Sequence, residues 1–385
     1  MAGIWWKDVA DLVQEQIEIL DIPLDRSVLI KGPPGSGKTN LLLLRANHLF
    51  IADQPNINIV VFGSVLKKFI QLGSELYRFP SDKIVTHARL FTDVLGDHGQ
   101  HIDTSAMPLP VARAAKSEAL KALHSAGQLG QTYQAILLDE AQDYSSNEVE
   151  LLRAMAGSLV ATCDSKQKIY QGDDSVPQLE KSVHEVRELQ FHFRNGRKIC
   201  AIADGIMQGK TGYVQMSTNC QYDEAEYPSS VTHKSGLTLL QQAEAMKEQL
   251  IQQRLAYPDD VLGVLCPKAE DVVTIMNYLV GTELADDLTK CHEQAFDPAR
   301  HIWLCTISSA KGLEFRAVHL AGLDQLSAVG RDAQRRLAFT AVTRAKTALT
   351  LYWERSIPGY LDSAIRRVSP VAKKISKSML FGKES

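Results

Sequence analysis

Short apolar runs recur along this chain of 385 residues, each followed by a stretch whose apolar positions return at helical spacing. In the first half the runs are VLI (28–30), INIVVF (57–62), IV (84–85), ILL (136–138) and LVAT (159–162). Continuous apolar runs of this length read as strands buried on both faces. Their alternation with helical stretches such as 41–44 and 66–76 predicts a parallel sheet covered by helices. A second series opens near Leu189, with VLGVLC (261–266), a helix over 269–280, HIWLCT (301–306) and runs at 318–321 and 348–352. The pattern predicts an α/β protein of two domains in tandem, 1–187 and 188–368, joined near 183–189. A small helical insert is expected over 92–131. The segment 211–236, rich in Ser, Thr, Gly, Asn and Pro, reads as a long loop. Residues 369–385 read as a basic tail, with Lys373, Lys374, Lys377 and Lys383.

Between the first run and the helical stretch at Leu41 stands LIKGPPGSGKT (29–39), which matches G-x-x-x-x-G-K-[ST] in the strand–loop–helix context that gives the pattern meaning. Glycines let backbone N–H groups approach phosphate oxygens, and a helix N-terminus adds a favourable dipole. Gly32, Pro33, Pro34, Gly35, Ser36, Gly37, Lys38, Thr39 and Asn40 are therefore the expected cradle of a nucleoside triphosphate. Lys38 supplies a cation to the β/γ-phosphates, and Thr39 a hydroxyl to Mg²⁺. Phosphoryl transfer also needs a metal ligand and a group that positions water. LLDEAQD (137–143) offers both at a strand end: Asp139 for Mg²⁺ and Glu140 to orient or deprotonate water.

Composition adds limits. Apolar content of 45% and charged content of 23% suit a soluble globular protein. The net charge of −3 excludes indiscriminate coating of nucleic acid but leaves a local groove open. No apolar run reaches membrane-spanning length, and MAGIWWKDVADLV lacks the regions of a signal peptide, so a cytoplasmic protein is expected, without membrane partners. Trp5 and Trp6 read as an apolar anchor onto the first domain. The six cysteines are scattered with no C-x-x-C pair, which points to reduced thiols rather than a disulfide frame or a zinc site.

DEAQD and the phosphate loop together resemble motifs II and I of superfamily 1 helicases, and the other motifs follow in order. TISSAKGLEF (306–315) is similar to motif V of the UvrD/Rep/PcrA branch, and RLAFTAVTRAK (336–346) to motif VI. LQFHFRNGRKI (189–199) resembles motif IV, CDSKQKIY (163–170) motif III, and LVQEQIEIL (12–20) the Q motif. VFGSVLKKF (61–69) and VTHARLF (85–91) resemble motifs Ia and Ib, so the resemblance spans about 12–355. It implies two tandem RecA-like P-loop domains with an ATP cleft between them. Gln16 would read adenine, Gln167 would sense the γ-phosphate, and Arg194 and Arg344 would reach across as arginine fingers. Glu314 would contact the nucleotide from the second domain, with Lys311-Gly312 shaping that loop. Single-stranded DNA would be held by Ser64, Thr86, His87, Tyr170 and Thr306 through backbone contacts and stacking.

The chain departs from the family in motif III, which lacks the leading Gly-Asp. It departs also at His192, where Asn is usual, and at Ser308, where His is usual. The large accessory domains are missing as well. The resemblance therefore implies a reduced motor: an ATP-hydrolysing single-stranded DNA translocase or helicase, 3′ to 5′, using ATP and Mg²⁺. Two alternatives stay open, an ATP-switched scaffold subunit beside a protein partner such as a nuclease, and RNA as the track.

Overall fold

The apolar runs of the first half line up side by side in the computed structural model, which describes residues 9–73, 76–168, 173–291, 296–326 and 332–368. The first sheet comprises β1 (Val28–Lys31), β2 (Ile57–Val61), β3 (Ile84–Thr86), β4 (Tyr133–Leu138), β5 (Ala156–Cys163) and β6 (Glu185–Glu188). Their order is β3-β2-β4-β5-β1-β6, with every neighbouring pair parallel. Helices α1 (Gln14–Leu20), α2 (Lys38–Ile51), α3 (Ser64–Gly73), α4 (His87–Asp97), α5 (Leu109–Ser125), α6 (Ser146–Met155) and α7 (Val176–Ser182) complete this lobe. Helix α5 lies within the segment expected as a small helical insert.

Burial follows the pleat. Val28 and Ile30 join Leu41, Leu42 and Leu43 of α2 in one apolar cluster, whereas Leu29, between them, joins Leu90, Phe91 and Leu152 in another. Successive side chains of a strand point to opposite faces, so the split shows both faces covered.

The second lobe repeats the plan. Its strands are β7 (Ser230–Ser235), β8 (Leu262–Cys266), β9 (Leu288–Lys290), β10 (Ile302–Thr306), β11 (Phe315–Leu320) and β12 (Ala345–Trp353), ordered β7-β12-β11-β8-β10-β9 and all parallel. Its helices are α8 (Arg197–Met207), α9 (Leu239–Ala256), α10 (Ala269–Val280), α11 (Asp332–Val342) and α12 (Gly359–Val368). Two parallel sheets in tandem are the α/β architecture that the apolar pattern predicts.

Three strands differ from expectation. The 183–189 junction contains β6, and the 211–236 loop ends in β7. Both are edge strands with polar sequences, EVRE and SVTHKS, and with mostly exposed side chains. Strand β9 is a further edge. An edge strand is held by its ladder to one neighbour, so its own sequence needs no apolar run. Tyr170, Trp5, Trp6 and the 369–385 tail lie outside the described residues.

The lobes touch through apolar groups. Phe69 on α3 meets Trp303 on β10 edge-on, with ring centroids 5.9 Å apart. Gly312 lies against Leu66, whose Cδ2 would stand 2.6 Å from a Cβ added there. One buried cluster consequently runs from the leucines of α2 through Leu66 and Phe69 into Trp303, Leu313 and Phe315.

Candidate active site between the lobes

Strand β1 delivers the chain to Gly32, and the loop turns into α2 through left-handed backbone at Gly35 (φ +75°) and Gly37 (φ +85°). A Cβ on Gly37 would stand 2.7 Å from Gln16 Nε2, and one on Gly35 would stand 2.4 Å from Arg194 Cβ of the other lobe. Only glycine satisfies both the dihedral and the contact. Ser36 Oγ is buried with no hydrogen-bond partner. Lys38 Nζ donates to Gly32 O (2.9 Å) and Pro33 O (2.8 Å), which holds its charge inside the loop. Burial lowers its pKa against the opposing pull of Asp164, Glu140 and Asp139.

Strand β4 ends at Leu138 and places Asp139 beside the loop. Thr39 Oγ1 lies 3.2 and 3.1 Å from the two Asp139 oxygens, and Thr162 Oγ1 donates to Asp139 Oδ1 at 2.6 Å. Burial, then the neighbouring Glu140, pushes the Asp139 carboxyl up. Glu140 takes a left-handed conformation (φ +51°), costly for a residue with a Cβ at about 1–2 kcal/mol. The kink separates the two adjacent carboxylates: Asp139 stays with Thr39, and Glu140 accepts from Gln142 Nε2 and stands 3.8 Å from Lys311 Nζ. Burial works to raise the Glu140 carboxyl, but Lys311, Arg344 and Lys38 together hold it below its ordinary value.

The second lobe closes the cleft with charge. Arg344 is 1% exposed and donates to Thr340 O (3.1 Å), Leu313 O (2.9 Å) and, across the cleft, Gln167 Oε1 (2.8 Å). Burial, with Arg194 nearby, brings its pKa down to about 10. Arg194 pairs with Glu314, which also lies 3.0 Å from Lys346 Nζ. Burial raises the Glu314 carboxyl, yet Arg194 and Lys346 overcome it and hold the group low. Lys311 Nζ reaches into the first lobe, 2.5 Å from Asp143 Oδ2 and 2.6 Å from Gln167 O. The cleft between these groups holds about 330 Å³.

This donor set fits a nucleoside triphosphate with Mg²⁺. Ser36 Oγ lacks a protein partner, Lys38 supplies a cation, and Thr39 with Asp139 offers hard oxygen donors of the kind Mg²⁺ takes. Gln16 is committed more fully than expected. Its Nε2 donates to Ser36 O (2.9 Å) and its Oε1 accepts from Val13 N (3.2 Å), so it braces the loop while lining the cleft. Asn40 is buried beside the cleft, where its Oδ1 accepts from Tyr77 OH at 3.3 Å. Sequence reasoning missed the outer wall, where Tyr222, Tyr227 and Arg316 line the same cleft. Arg316 lies 4.5 Å from the Tyr227 ring and pairs with Asp260. Two of these residues fall in the segment read as a loop, where no periodicity marks them.

The expected nucleic-acid residues divide. Ser64 opens α3 and shares a separate groove with Gly63, Ser308, Ser309 and Lys311. Thr306 Oγ1 bonds Ser309 Oγ (2.9 Å) beside that groove. Thr86 caps α4, its side chain accepting from Arg89 N at 3.3 Å. His87 is a correction. It is 3% exposed, 3.0 Å from Glu148 Oε1, and packed among Phe62, Phe91 and Tyr144, because α4 turns this residue into the apolar core.

Residues 301–352, from β10 through motif VI into β12, match the UvrD-like helicase C-terminal domain. The match lies in the second lobe and takes in the segments that resemble motifs V and VI. Within the matched residues lie Thr306, Lys311, Glu314, Arg344 and Lys346. No curated protein is significantly similar in sequence. Among solved structures, the chain is similar to the PRRSV helicase, with a TM-score of 0.42 and 18% identity over 88% of this chain and 54% of that one. It is also similar to the C-terminal domain of a possible DNA helicase from Lactobacillus plantarum WCFS1, with a TM-score of 0.32 and 19% identity over 46% of this chain and 96% of that one. The chain spans about half the length of the PRRSV helicase structure.

Proposed function

We propose that this chain hydrolyses ATP between its lobes and couples their opening and closing to movement along single-stranded DNA, 3′ to 5′. The observation that carries the reading is the reach of Arg344 to Gln167 over a pocket that also holds Lys38, Asp139 and Glu140. In this reading Lys38 and the loop amides bind the phosphates, and Thr39 and Asp139 hold Mg²⁺, which would neutralise phosphate charge. Glu140, ionised by its three cationic neighbours, accepts the proton of the attacking water. Arg194 and Arg344 face the transferred phosphoryl group, where a guanidinium contributes about 10³–10⁵ in rate. Gln167 bonds Arg344 and lies against Lys311, so the state of the phosphate is felt in both lobes.

The groove of Ser64, Ser308 and Ser309 offers hydroxyls suited to a sugar–phosphate backbone. Lys311 belongs to both that groove and the carboxylate pair, which supports coupling of strand binding to hydrolysis. The test is steady-state ATPase activity titrated with single-stranded DNA, duplex and RNA. Severalfold stimulation by single-stranded DNA is expected; no hydrolysis with any of them overturns the proposal. Burial of His87 removes one ring from the stacking set and favours a second reading, an ATP-switched subunit with little unwinding of its own. Hydrolysis without displacement of a blocked 3′- or 5′-end would select it.

A further inference from the structure

Motif IV carries a histidine that the ATP site does not use. His192 is fully buried; its Nε2–H donates to the Met216 carbonyl, and its Nδ1 has no hydrogen-bond partner. Its Nε2 stands 3.8 Å from Cys200 Sγ on α8 and 2.8 Å from Met216 O. Cys220 is joined to His192 by an isolated β-bridge, and the ligand atoms of His192, Cys200 and Cys220 all lie within 4.8 Å of one another. Both sulfurs point at one acceptor, Asn195 O, at 3.3 Å each.

We propose that His192, Cys200 and Cys220 form a binding site for a single thiophilic divalent cation, Zn²⁺ by class. Tetrahedral zinc, with bonds of about 2.0 Å to nitrogen and about 2.3 Å to sulfur, separates N from S by roughly 3.5 Å and S from S by roughly 3.8 Å. The 3.8 Å from His192 Nε2 to Cys200 Sγ is close to that, and the remaining separations stay within 4.8 Å. Charge points the same way: Zn²⁺ with two thiolates and a neutral imidazole sums to zero, which a dry pocket tolerates. On binding, the ion replaces the hydrogen that Nε2 donates to the Met216 carbonyl, the neutral imidazole carries its hydrogen on Nδ1, the two thiols release their protons to solvent, and the carbonyl borders a fourth position.

The scaffold is held in advance. The Asp204 carboxylate on α8 accepts from Tyr213 OH (2.7 Å), Met216 N (2.7 Å), Ser217 N (3.1 Å) and Ser217 Oγ (2.6 Å), which fixes the segment leading to Cys220. Binding would tie three separate pieces of the second lobe together: the strand-like end of motif IV, α8, and the segment before β7. Arg194 stands two residues beyond His192, so the ion would stiffen the piece that presents Arg194 to the cleft. The site is independent of the nucleotide reading.

The experiment uses the full chain, freed of metal by a chelator under reducing conditions and titrated with Co²⁺. One equivalent should produce thiolate-to-cobalt charge-transfer absorption in the near ultraviolet, and Zn²⁺ should abolish it. Cys200→Ser and Cys220→Ser should each remove the band, and His192→Asn should weaken Co²⁺ binding more than about 10-fold. Cys291→Ser should leave it unchanged. Because a variant may lose its fold for other reasons, the wild-type protein supplies a second readout, in which Zn²⁺ shields Cys200 and Cys220 from maleimide as located by mass spectrometry. Absence of the band, its survival in the Cys200→Ser/Cys220→Ser double variant, or a Cys200–Cys220 disulfide persisting in the presence of Zn²⁺ overturns the proposal.

Discussion

Arg344 of the second lobe donates its Nη2 to Gln167 Oε1 of the first at 2.8 Å, while its other nitrogens bond Thr340 O and Leu313 O. A buried guanidinium with three fixed acceptors cannot be replaced by a flexible ammonium. We predict that Arg344→Lys and Arg344→Ala each lower the kcat of ATP hydrolysis by about 10³-fold or more, with KM for ATP changed little. Steady-state kinetics at saturating single-stranded DNA measures this; an alanine variant within tenfold of wild type removes Arg344 from the reaction.

Lys38 and Glu140 should separate binding from turnover. Lys38→Ala takes the cation out of the loop, so nucleotide binding itself should fall below detection by fluorescent-nucleotide titration. Glu140→Gln keeps the shape and removes only the base, so binding should persist while hydrolysis disappears. Glu140→Gln retaining normal turnover would mean that another group handles the proton.

Gly312 meets two demands at once, a φ of +81° and contact with Leu66 across the lobes. Gly312→Ala is expected to cost about 1–3 kcal/mol, seen as a lower Tm. It should also reduce DNA-stimulated ATPase activity more than basal activity. Adding Leu66→Ala should recover the part due to collision and leave the part due to backbone strain, so the two substitutions will not be additive.

Glu148 gives a pH signature. Burial opposes its ionisation, but His87 and Arg113 draw its pKa from 4.5 down to about 2. Between those values the unfolded chain binds a proton that the folded chain refuses, so this stabilisation, on the order of 3 kcal/mol, is complete above pH 4.5 and lost as pH falls toward 2. Glu148→Gln should therefore be less stable than wild type at neutral pH, and the gap in Tm should close through that window. A gap independent of pH would assign the loss to packing instead.

Much of the central sheet of each lobe was legible in the chain. Strands buried on both faces have no polar option, so β1, β2, β4, β8 and β10 appear as apolar runs. The polar edges β6 and β7 were not legible, since their partners β1 and β12 supply the pairing that their own residues do not announce. The Gly32–Thr39 loop and the Asp139-Glu140 pair could be picked out because each is a pattern of residue types and spacing within a few positions, and the fold brings the two together. His87 misled because a helix cap next door, Thr86, hides which way the following ring turns.

By itself the sequence determined local things: where backbone must turn left-handed, which carboxylates follow a strand, and which runs cannot face water. Only the tertiary structure decided that Lys311 lies against Asp143 and Gln167, that Glu314 is shared between Arg194 and Lys346, and that His192, Cys200 and Cys220 converge on one spot. The physical reason is range. Propensity and periodicity act over a few neighbouring residues, whereas charge pairing across a cleft depends on how the two lobes pack through Leu66, Phe69, Trp303 and Gly312.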